Sequence, residues 1–378
     1  MKALLLGCGE MGEEALRDLY KYGSFGEIIV GTRSKEKAER LAKTLAGKRT
    51  RVSAVQVDAL DEDALAALMK GADVVVNCVG PNYMYELPVA RAAIRARVHL
   101  VDLNDEFEIT CRMFDLDEEA REAGITIVLG LGGCPGIDNI LVRAAANQLD
   151  EVREVHTAWV MSGADPGGLA LSRHLLYSLS GRGLTYREGK FVEVQSFRDG
   201  RETVEFPEPV GAVDVYHVGH PEPIALARSF PAAEVIDDKA TFVPPSVNEE
   251  IVRLGKTVRD GTGVHRVEGR DMDVMESAAL SLHSMCRDLK GVSPEAALRV
   301  NVKGKKKNKV KSIFFSSAGR LAPATGIPAS IGALMLAEGK VSARGVLPPE
   351  QCLDPNDFLF EILTRRNVAH LNGWVDEN

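Results

Sequence analysis

The chain has 378 residues, of which 45% are hydrophobic and 26% charged, and its formal net charge is -8. This length and composition are typical of a soluble protein with two globular domains, and the negative charge argues against a general nucleic-acid binder. No apolar stretch approaches the roughly 20 residues that span a bilayer, and no charged leader precedes the first predicted strand. We therefore expect a cytoplasmic protein that binds neither nucleic acid nor membrane.

The six cysteines offer neither a disulfide framework nor a metal site. They are scattered along the chain, without a C-x-x-C pair and without a cysteine–histidine cluster at zinc spacing. The sequence therefore predicts no structural metal.

The first predicted strand, at residues 3–6, leads into a glycine fingerprint that predicts a dinucleotide site. A G-x-G-x-x-G pattern is formed by Gly7, Gly9 and Gly12, and a charged amphipathic helix follows. In such motifs the first glycine allows a tight turn, the second lets the backbone approach a pyrophosphate, and the third lets the helix lie close to the sheet. The helix N-terminus then presents N–H groups and a positive dipole end to the phosphates. The predicted pyrophosphate-binding residues are Gly7, Gly9, Glu10, Met11 and Gly12.

The second predicted strand, at residues 27–30, ends in a tip that favours NADP(H) over NAD(H). No carboxylate stands there to bind a ribose 2′-hydroxyl, and Thr32, Arg33 and Ser34 follow instead. A small hydroxyl residue leaves room for a 2′-phosphate, and the arginine supplies a planar, permanent charge to hold it. Arg33 is also compatible with a solvated charge at the start of the helix predicted over residues 35–46.

Alternating apolar strands and amphipathic helices predict an α/β fold, a Rossmann doubly wound parallel sheet, in the first part of the chain. The predicted strands cover residues 3–6, 27–30, 52–57, 73–77, 99–102 and 126–129, and the predicted helices 10–22, 35–46, 61–70, 88–96 and 105–123. Because cofactors bind beyond the carboxyl ends of such strands, we expect the loops after strands three and four to contact the nucleotide. These loops contain Asp58 and Ala59 after the third strand, and Asn77, Cys78, Val79, Gly80 and Pro81 at the end of the fourth. Each loop is also compatible with a plain strand exit.

A glycine-rich segment at residues 130–139 predicts a tight loop between two domains. Four glycines and a proline within seven residues exclude regular structure, so the backbone turns sharply or approaches another group closely. A hinge and a ligand contact fit this pattern equally well. We predict a dinucleotide-binding domain at 1–136, an α+β substrate and dimerisation domain at 137–325, and a helical segment packing back on the first domain at 326–378.

The second domain is predicted from strand-like segments, followed by two helices. The strand-like segments are 155–160, 191–195, 213–217, 234–236, 298–302 and 310–316, and the helices are 328–336 and 357–366. Residues 303–311 carry six lysines around a Gly/Asn turn, which favours a solvated hairpin over a phosphate-binding or nucleic-acid patch.

Four segments together resemble the saccharopine dehydrogenase-like family. They are the fingerprint at residues 7–12, the segment Gly133-Cys134-Pro135-Gly136-Ile137-Asp138-Asn139, the segment Gly219-His220-Pro221-Glu222-Pro223, and the segment Gly345-Val346-Leu347-Pro348-Pro349-Glu350. Residues 177–194 also look like the opening of that family's substrate domain. Many relatives carry an aspartate where this chain has Cys134, so no role of that carboxylate is carried over.

The resemblance implies an NAD(P)-dependent, homodimeric oxidoreductase that acts on the CH–NH bond of a small amino-acid or amine substrate. The family includes saccharopine reductases, lysine 6-dehydrogenases and carboxynorspermidine synthases. The alternatives are an NAD-linked enzyme of the lysine 6-dehydrogenase type and a non-catalytic nucleotide-binding sensor or scaffold.

Hydride transfer at a carbon bonded to nitrogen needs a group that handles a proton. Asp102, at the end of the fifth predicted strand, is the first candidate, although an aspartate there is equally compatible with a helix cap. His220 and Tyr83 are further catalytic candidates. Packing roles fit both of these residues as well.

The substrate itself needs groups that hold its charges. Glu222 is a candidate for binding a substrate ammonium, and the resemblance points to Arg173 and Arg182 for substrate carboxylates. Cys134, Pro135 and Gly136 are predicted to contact the substrate. A nucleophilic role for this cysteine is not expected, since no cysteine–histidine pairing is recognisable.

Overall fold

The computed structural model describes residues 1–45, 50–261, 264–267, 270–365 and 370–376. These residues form two compact units: the first contains Met1–Ile140 and the later stretch from Ala322 to Arg365, and the second contains Leu141–Leu321 and the last strand. Two predicted helix ends, Ala46 and Arg366, lie outside the described residues.

The described strands, in chain order, are β1 (Lys2–Leu6), β2 (Glu27–Thr32), β3 (Arg51–Gln56), β4 (Val74–Asn77), β5 (His99–Asp102), β6 (Thr126–Val128), β7 (Glu151–Ser162), β8 (Arg182–Arg187), β9 (Lys190–Gln195), β10 (Glu202–Glu205), β11 (Ala212–His217), β12 (Val235–Val243), β13 (Val264–Val267), β14 (Arg270–Asp273), β15 (Glu295–Lys306), β16 (Lys309–Arg320), β17 (Gly345–Leu347) and β18 (His370–Asp376).

The described helices are α1 (Glu10–Tyr22), α2 (Lys35–Thr44), α3 (Glu62–Met69), α4 (Asn82–Ala96), α5 (Phe107–Phe114), α6 (Asp117–Ala123), α7 (Ile137–Ala146), α8 (Leu169–Ser178), α9 (Glu222–Ser229), α10 (Ser246–Asp260), α11 (Val274–Arg287), α12 (Leu321–Ala337), α13 (Pro349–Cys352) and α14 (Pro355–Thr364). Within the described chain, none of these helices combines the length and apolar character that a membrane span requires.

The first unit is built on a seven-stranded sheet in which every strand is parallel to its neighbours. The strand order is β17-β6-β5-β4-β1-β2-β3. The chain winds outward in both directions from the central pair β1 and β4, and ligands bind such sheets in the crevice beyond the carboxyl ends of that pair. The predicted doubly wound parallel sheet is confirmed, and β17 adds a seventh strand to the six that the sequence predicted.

Continuous apolar runs form the central strands because helices cover both faces of the sheet. The residues from Ala3 to Leu6 are at most 1% exposed. Helix α1 buries Ala15, Leu16 and Leu19, which recur at the spacing of one helix face. The hydrophobic periodicity of the sequence therefore places the first strand and the first helix correctly.

The second unit contains a nine-stranded mixed sheet, which confirms the predicted α+β character. Among the described residues its main path is β10-β11-β12-β7-β15-β16-β18, and the hairpin β8–β9 attaches to β12. The lysine-rich segment is the turn of the hairpin β15–β16. Its exposed turn residues, Lys307 and Asn308, have φ values of 49° and 64°, as two-residue hairpin turns require. Lys303 in β15 pairs with Glu154 at 2.8 Å.

Several element boundaries differ from the sequence predictions. Helix α4 begins at Asn82 and accommodates Pro88 inside it, whereas the sequence predicted a start at that proline. The single helix predicted over 105–123 is divided, because Leu116 has non-helical backbone angles between α5 and α6. Helix α12 likewise begins seven residues before its predicted start and contains Pro328. A proline in the chain thus marks a helix start less reliably than its missing N–H suggests.

Helices α12 and α14 pack on α1 through a close backbone contact and buried polar groups. A Cβ atom on Gly326 of α12 would overlap the carbonyl oxygen of Met11. Ser330 of α12 donates a 2.7 Å hydrogen bond to the buried carboxylate of Asp18, and Arg365 lies 3.4 Å from the same carboxylate. The stretch from residue 322 to 365 is therefore part of the first unit's core.

The last strand, β18, departs from the helical C-terminal segment that the sequence predicted. It pairs with β16 in an antiparallel register from Ala318↔His370 to Ser312↔Asp376. These residues consequently extend the sheet of the second unit.

We predict that Arg365→Met destabilises the first unit by about 3 kcal/mol at pH 8, because it leaves the Asp18 carboxylate buried without its cation. Burial already raises the pKa of Asp18, against the opposing effects of Ser330 and Arg365. Without the arginine this pKa rises further, so a proton taken up by the folded state reduces the loss as the pH falls towards 5.

Urea unfolding at both pH values measures this loss in free energy of unfolding. Arg17→Met is the control, since it removes an exposed arginine that pairs with Glu13 on the same helix and should have little effect. Equal losses in the two variants, or a loss independent of pH, would contradict the prediction.

Candidate active site

The turn between β1 and α1 brings two backbone segments so close that only glycine fits. Gly7 has φ +87°, and a Cβ atom there would lie 2.7 Å from the carbonyl oxygen of Cys78. A Cβ atom on Gly12 would overlap the carbonyl oxygen of Gly7. The first and third glycines of the fingerprint are therefore required by packing within the protein itself, the first also by its positive φ.

Gly9 occupies a different environment, although it belongs to the same motif. A Cβ atom at this position would meet no heavy atom within 4 Å. Gly9 is the N-cap of α1, and within the described part of the chain no side chain accepts a hydrogen bond from the first N–H groups of this helix. The open space and the uncapped helix end fit the pyrophosphate of a dinucleotide.

The tip of β2 places Arg33 at the surface beside the same crevice. Arg33 and Ser34 are exposed, and Arg33 forms no ion pair with any residue in the described part of the chain. Its guanidinium lies 5.8 Å from the ring centroid of the buried Tyr85, within reach of a cation–π contact. Thr32 accepts a hydrogen bond from the backbone N–H of Ser34, which shapes the tip. These residues leave a permanent positive charge available to a 2′-phosphate.

The remaining predicted cofactor loops also lie at the carboxyl ends of the strands. Asp58 follows β3, is exposed and accepts a hydrogen bond from the N–H of Leu60, while Ala59 is buried. The segment from Cys78 to Pro81 follows β4 and precedes α4. Its start is held by Asn77, whose Oδ1 accepts a 3.1 Å hydrogen bond from the N–H of Val79.

Asp102 is fully buried at the end of β5. Its Oδ1 accepts hydrogen bonds from the backbone N–H groups of Asn104 at 2.9 Å and Gly130 at 2.7 Å. Burial raises the pKa of Asp102 above its ordinary value, against the opposing effect of these two N–H groups. The carboxyl therefore ties the loop after β5 to the loop after β6, and the structure does not expose it to solvent in the crevice.

The glycine-rich loop is folded back on itself by hydrogen bonds. Gly136 has φ +133°, and its N–H donates to the side chains of Asp138 at 2.9 Å and Asn139 at 3.1 Å. The amide of Asn139 donates to the buried carboxylate of Glu350 at 3.0 Å. In this loop Cys134 is half-buried and Pro135 is buried. The loop is thus an ordered turn within the first unit.

The second unit contains its own buried cluster of titratable groups. His220, Glu222 and Asp238 are at most 2% exposed. The Nδ1 of His220 lies 2.7 Å and 2.9 Å from the two carboxylate oxygens of Glu222, and 3.9 Å from the carboxylate of Asp238. Asp238 in turn accepts hydrogen bonds from Trp159 at 3.0 Å and Thr157 at 2.7 Å. Glu222 orients the imidazole through Nδ1, an arrangement that sets which nitrogen carries the proton.

The other predicted substrate residues are found in helices and strands with partners of their own. Arg173 in α8 pairs with Glu276 at 3.3 Å, and the exposed Arg182 in β8 pairs with Glu193 at 3.6 Å. Tyr83 lies in the first turn of α4 rather than in a loop, and is half-buried.

Sequence reasoning missed several polar residues that belong to these clusters. They are Glu86 in the first unit, and Thr157, Trp159 and Asp238 in the second. Asn77, in contrast, belongs to the cofactor loop that the sequence predicted after the fourth strand. Glu86 carried no such signal, because an acidic residue in an amphipathic helix ordinarily faces solvent.

We predict that Gly9→Ala and Gly12→Ala separate cofactor binding from folding. Gly9→Ala should keep the stability of the native chain but weaken NADPH binding by at least about tenfold, because its methyl group enters the space reserved for the pyrophosphate. Gly12→Ala should lower the thermal unfolding temperature, because its methyl group collides with backbone.

Calorimetry of unfolding and a fluorescence titration with NADPH measure the two effects. Gly71→Ala is the control for glycine replacement. A Cβ atom there would meet no heavy atom within 4 Å. Its positive φ of 79° strains the backbone of this variant without placing an atom in the crevice. A Gly9→Ala variant that binds NADPH like the native chain would show that the space is not used by a cofactor.

Comparisons with known proteins agree with this geometry. Residues 3–128 match the family model described as the saccharopine dehydrogenase NADP binding domain. The chain is 26% identical over 403 residues to a carboxynorspermidine synthase from Vibrio alginolyticus, covering 95% of this chain and 94% of that protein. It is 21% identical over 397 residues to a carboxyaminopropylagmatine dehydrogenase from Synechocystis sp., covering 96% and 95%.

A solved structure gives the same result for the fold. An apo saccharopine dehydrogenase (L-Glu forming) from Saccharomyces cerevisiae matches with a TM-score of 0.70 over 99% of each chain, at 16% identity. The resemblance found in the sequence motifs is therefore confirmed. The chain is an oxidoreductase whose residues 3–128 form an NADP-binding domain of the saccharopine dehydrogenase type, and over nearly its whole length it is similar to the two enzymes named above.

Proposed function

We propose that the protein is an NADP(H)-preferring oxidoreductase that reduces the C=N bond between an amino-acid-derived aldehyde and an amine, or runs this reaction in reverse. The observation that carries the proposal is the combination, at one edge of the sheet, of an uncapped helix end at Gly9 and the exposed Arg33. The first suits a diphosphate and the second a 2′-phosphate.

The residues proposed to hold the cofactor follow the carboxyl ends of β1, β2, β3 and β4. Gly7, Gly9, Glu10, Met11 and Gly12 bind the pyrophosphate through backbone, and Thr32, Arg33 and Ser34 bind the 2′-phosphate. Asp58 and Ala59 border the adenine, and Cys78, Val79, Gly80 and Pro81 border the nicotinamide ribose.

Reduction of an imine adds a hydride to carbon and a proton to nitrogen. NADPH, held by the residues that follow β1 to β4, would supply the hydride and would be oxidised to NADP⁺, so the protein must supply the proton and hold the substrate charges. We assign proton handling to His220, because Glu222 holds its Nδ1 and fixes the ring. Tyr83 and Asp102 remain candidates, the latter acting from a buried position. Arg173 and Arg182 are proposed for substrate carboxylates, and Cys134, Pro135 and Gly136 for contact with the substrate.

The names of the two relatives that match over nearly their full length support a specific substrate class. Each name describes a carboxyl group on an amine skeleton, in one case norspermidine and in the other aminopropylagmatine. We therefore propose an amino-acid semialdehyde and a di- or polyamine as the two halves of the imine.

We predict that Arg33→Ala weakens NADPH binding about 30-fold, the loss expected for one charged hydrogen-bonded contact, and leaves NADH binding nearly unchanged. The variant loses the charge that faces the 2′-phosphate, which NADH lacks. Titration of both nucleotides by fluorescence measures the ratio of dissociation constants. Arg40→Ala is the matched control, since Arg40 is also exposed but lies further along α2. An equal loss for both nucleotides would contradict the 2′-phosphate assignment.

A substrate panel tests the reaction itself. We expect NADPH consumption with aspartate semialdehyde and a diamine or agmatine, and no consumption with either half alone. Lysine with 2-oxoglutarate, and saccharopine with NADP⁺, test the saccharopine reactions, and lysine with NAD⁺ tests a lysine dehydrogenase. Cofactor binding without turnover of any pair would instead support a nucleotide-binding sensor.

A further inference from the structure

We propose that Glu86 is a positioning residue: as a neutral carboxylic acid it joins Asp102 to Asn77 and so fixes the loop from Cys78 to Pro81 beside the nicotinamide half of the cofactor. The assignment of that loop to the cofactor rests on the proposed function. The hydrogen-bonded arrangement of the three side chains, which we call the buried relay, does not.

The buried relay joins three elements of the first unit. Glu86 lies in the second turn of α4, Asp102 ends β5, and Asn77 ends β4. The two carboxyl groups are 0% exposed and Asn77 is 1% exposed. Strands β4 and β5 are neighbours in which Asn77 is the register partner of Asp102. The relay therefore spans the edge of the sheet at which the cofactor crevice is expected.

The side chain of Asn77 connects Glu86 to the backbone of the loop. Its Nδ2 donates a 3.0 Å hydrogen bond to one oxygen of Glu86, and its Oδ1 accepts the N–H of Val79 at 3.1 Å. Both ends of the amide are thus used, and its orientation is set by the glutamate. Any shift of Glu86 would turn the amide and release the N–H of Val79.

The contact between the two carboxyl groups requires a proton. Oε1 of Glu86 and Oδ2 of Asp102 are buried and accept no hydrogen bond from any N–H or hydroxyl of the described chain. One proton held between the carboxyl groups gives each of these oxygens its partner, in a side-chain hydrogen bond between Glu86 and Asp102.

The surrounding groups place that proton on Glu86. Asp102 accepts two backbone N–H groups, which favour its ionised form, whereas Glu86 accepts only the amide of Asn77. Burial, and then repulsion from Asp102 and Glu106, raises the pKa of Glu86 well above its ordinary range. The two groups titrate as a coupled pair.

Among the described residues, the other titratable groups that act most strongly on the pair are acids. Glu106, at the start of α5, acts on Glu86, and Asp105 acts on Asp102. Burial, and then the charge of Glu86 when it is ionised, raise the pKa of the Cys78 thiol to about 12. Two adjacent buried carboxylates would repel each other, so the neutral form of Glu86 keeps the relay closed.

Two replacements of Glu86 test this role. The amide of Glu86→Gln can donate to Asp102 and accept from Asn77, so we expect NADPH affinity close to that of the native chain. Glu86→Leu removes both contacts, and we expect it to weaken NADPH binding at least about tenfold, the equivalent of one hydrogen bond to a charged group. Glu119→Gln is the control, because Glu119 is exposed on α6.

Two further measurements do not depend on substrate or cofactor. The infrared difference between the native chain and Glu86→Gln should show the carbonyl stretch of a protonated carboxyl at neutral pH, which Glu119→Gln does not remove. Above the ordinary pKa of a glutamate, and as long as Glu86 keeps its proton in the folded chain, the unfolded chain has lost that proton, so the unfolding constant of the native chain should rise about tenfold more per pH unit than that of Glu86→Gln.

Three results would overturn the proposal. They are a Glu86→Gln variant that loses NADPH binding as Glu86→Leu does, a Glu86→Leu variant that binds like the native chain, and an infrared difference without a protonated carboxyl. If the native chain binds no NADPH, the proposed function fails, while the infrared band and the pH slope still decide whether the relay exists.

Discussion

The close approach of backbone to backbone at the end of β1 is the constraint on which the rest of the first unit depends. A side chain on Gly7 or Gly12 would meet carbonyl oxygens of the turn or of the neighbouring loop. Because α1 can therefore lie against the sheet edge, its N-terminus opens beside β2 and β4. Gly326 has the same role in α12, because the lack of a side chain there lets α12 contact the backbone of α1. The missing side chain leaves space for a second backbone segment at Gly7, Gly12 and Gly326, and open space that would fit a ligand at Gly9.

A second constraint is the free-energy cost of burying charged groups near the carboxyl ends of β4 and β5. Asp102, Glu86 and Glu106 are each 0% exposed, and burial of ionised carboxylates is strongly unfavourable without compensation. Backbone N–H groups compensate Asp102, and a retained proton neutralises Glu86. The same hydrogen bonds link the ends of β4, β5 and β6, so the groups that reduce this cost also order the loops around the crevice. Stability and loop geometry are consequently controlled by the same side chains.

In the second unit, buried carboxylates are placed beside an imidazole. His220 lies between the carboxylates of Glu222 and Asp238, and Asp238 is held by Trp159 and Thr157. A positive charge on an imidazole so placed is compensated by the neighbouring carboxylates. Arg173 and Arg182, by contrast, are engaged with surface glutamates, and a substrate carboxylate would have to compete with those partners.

The sequence alone determined the first six strands in chain order, the glycine turn and the absence of a carboxylate at the tip of β2. These features depend on local periodicity and on residues adjacent in the chain, such as Thr32 and Arg33. The start of α4, the division between α5 and α6, and the short strand β17 were decided by tertiary packing. Glu86 shows the reason most clearly. Its burial depends on Asp102 and Asn77, which end two different strands and come together only when β4 and β5 are paired in register.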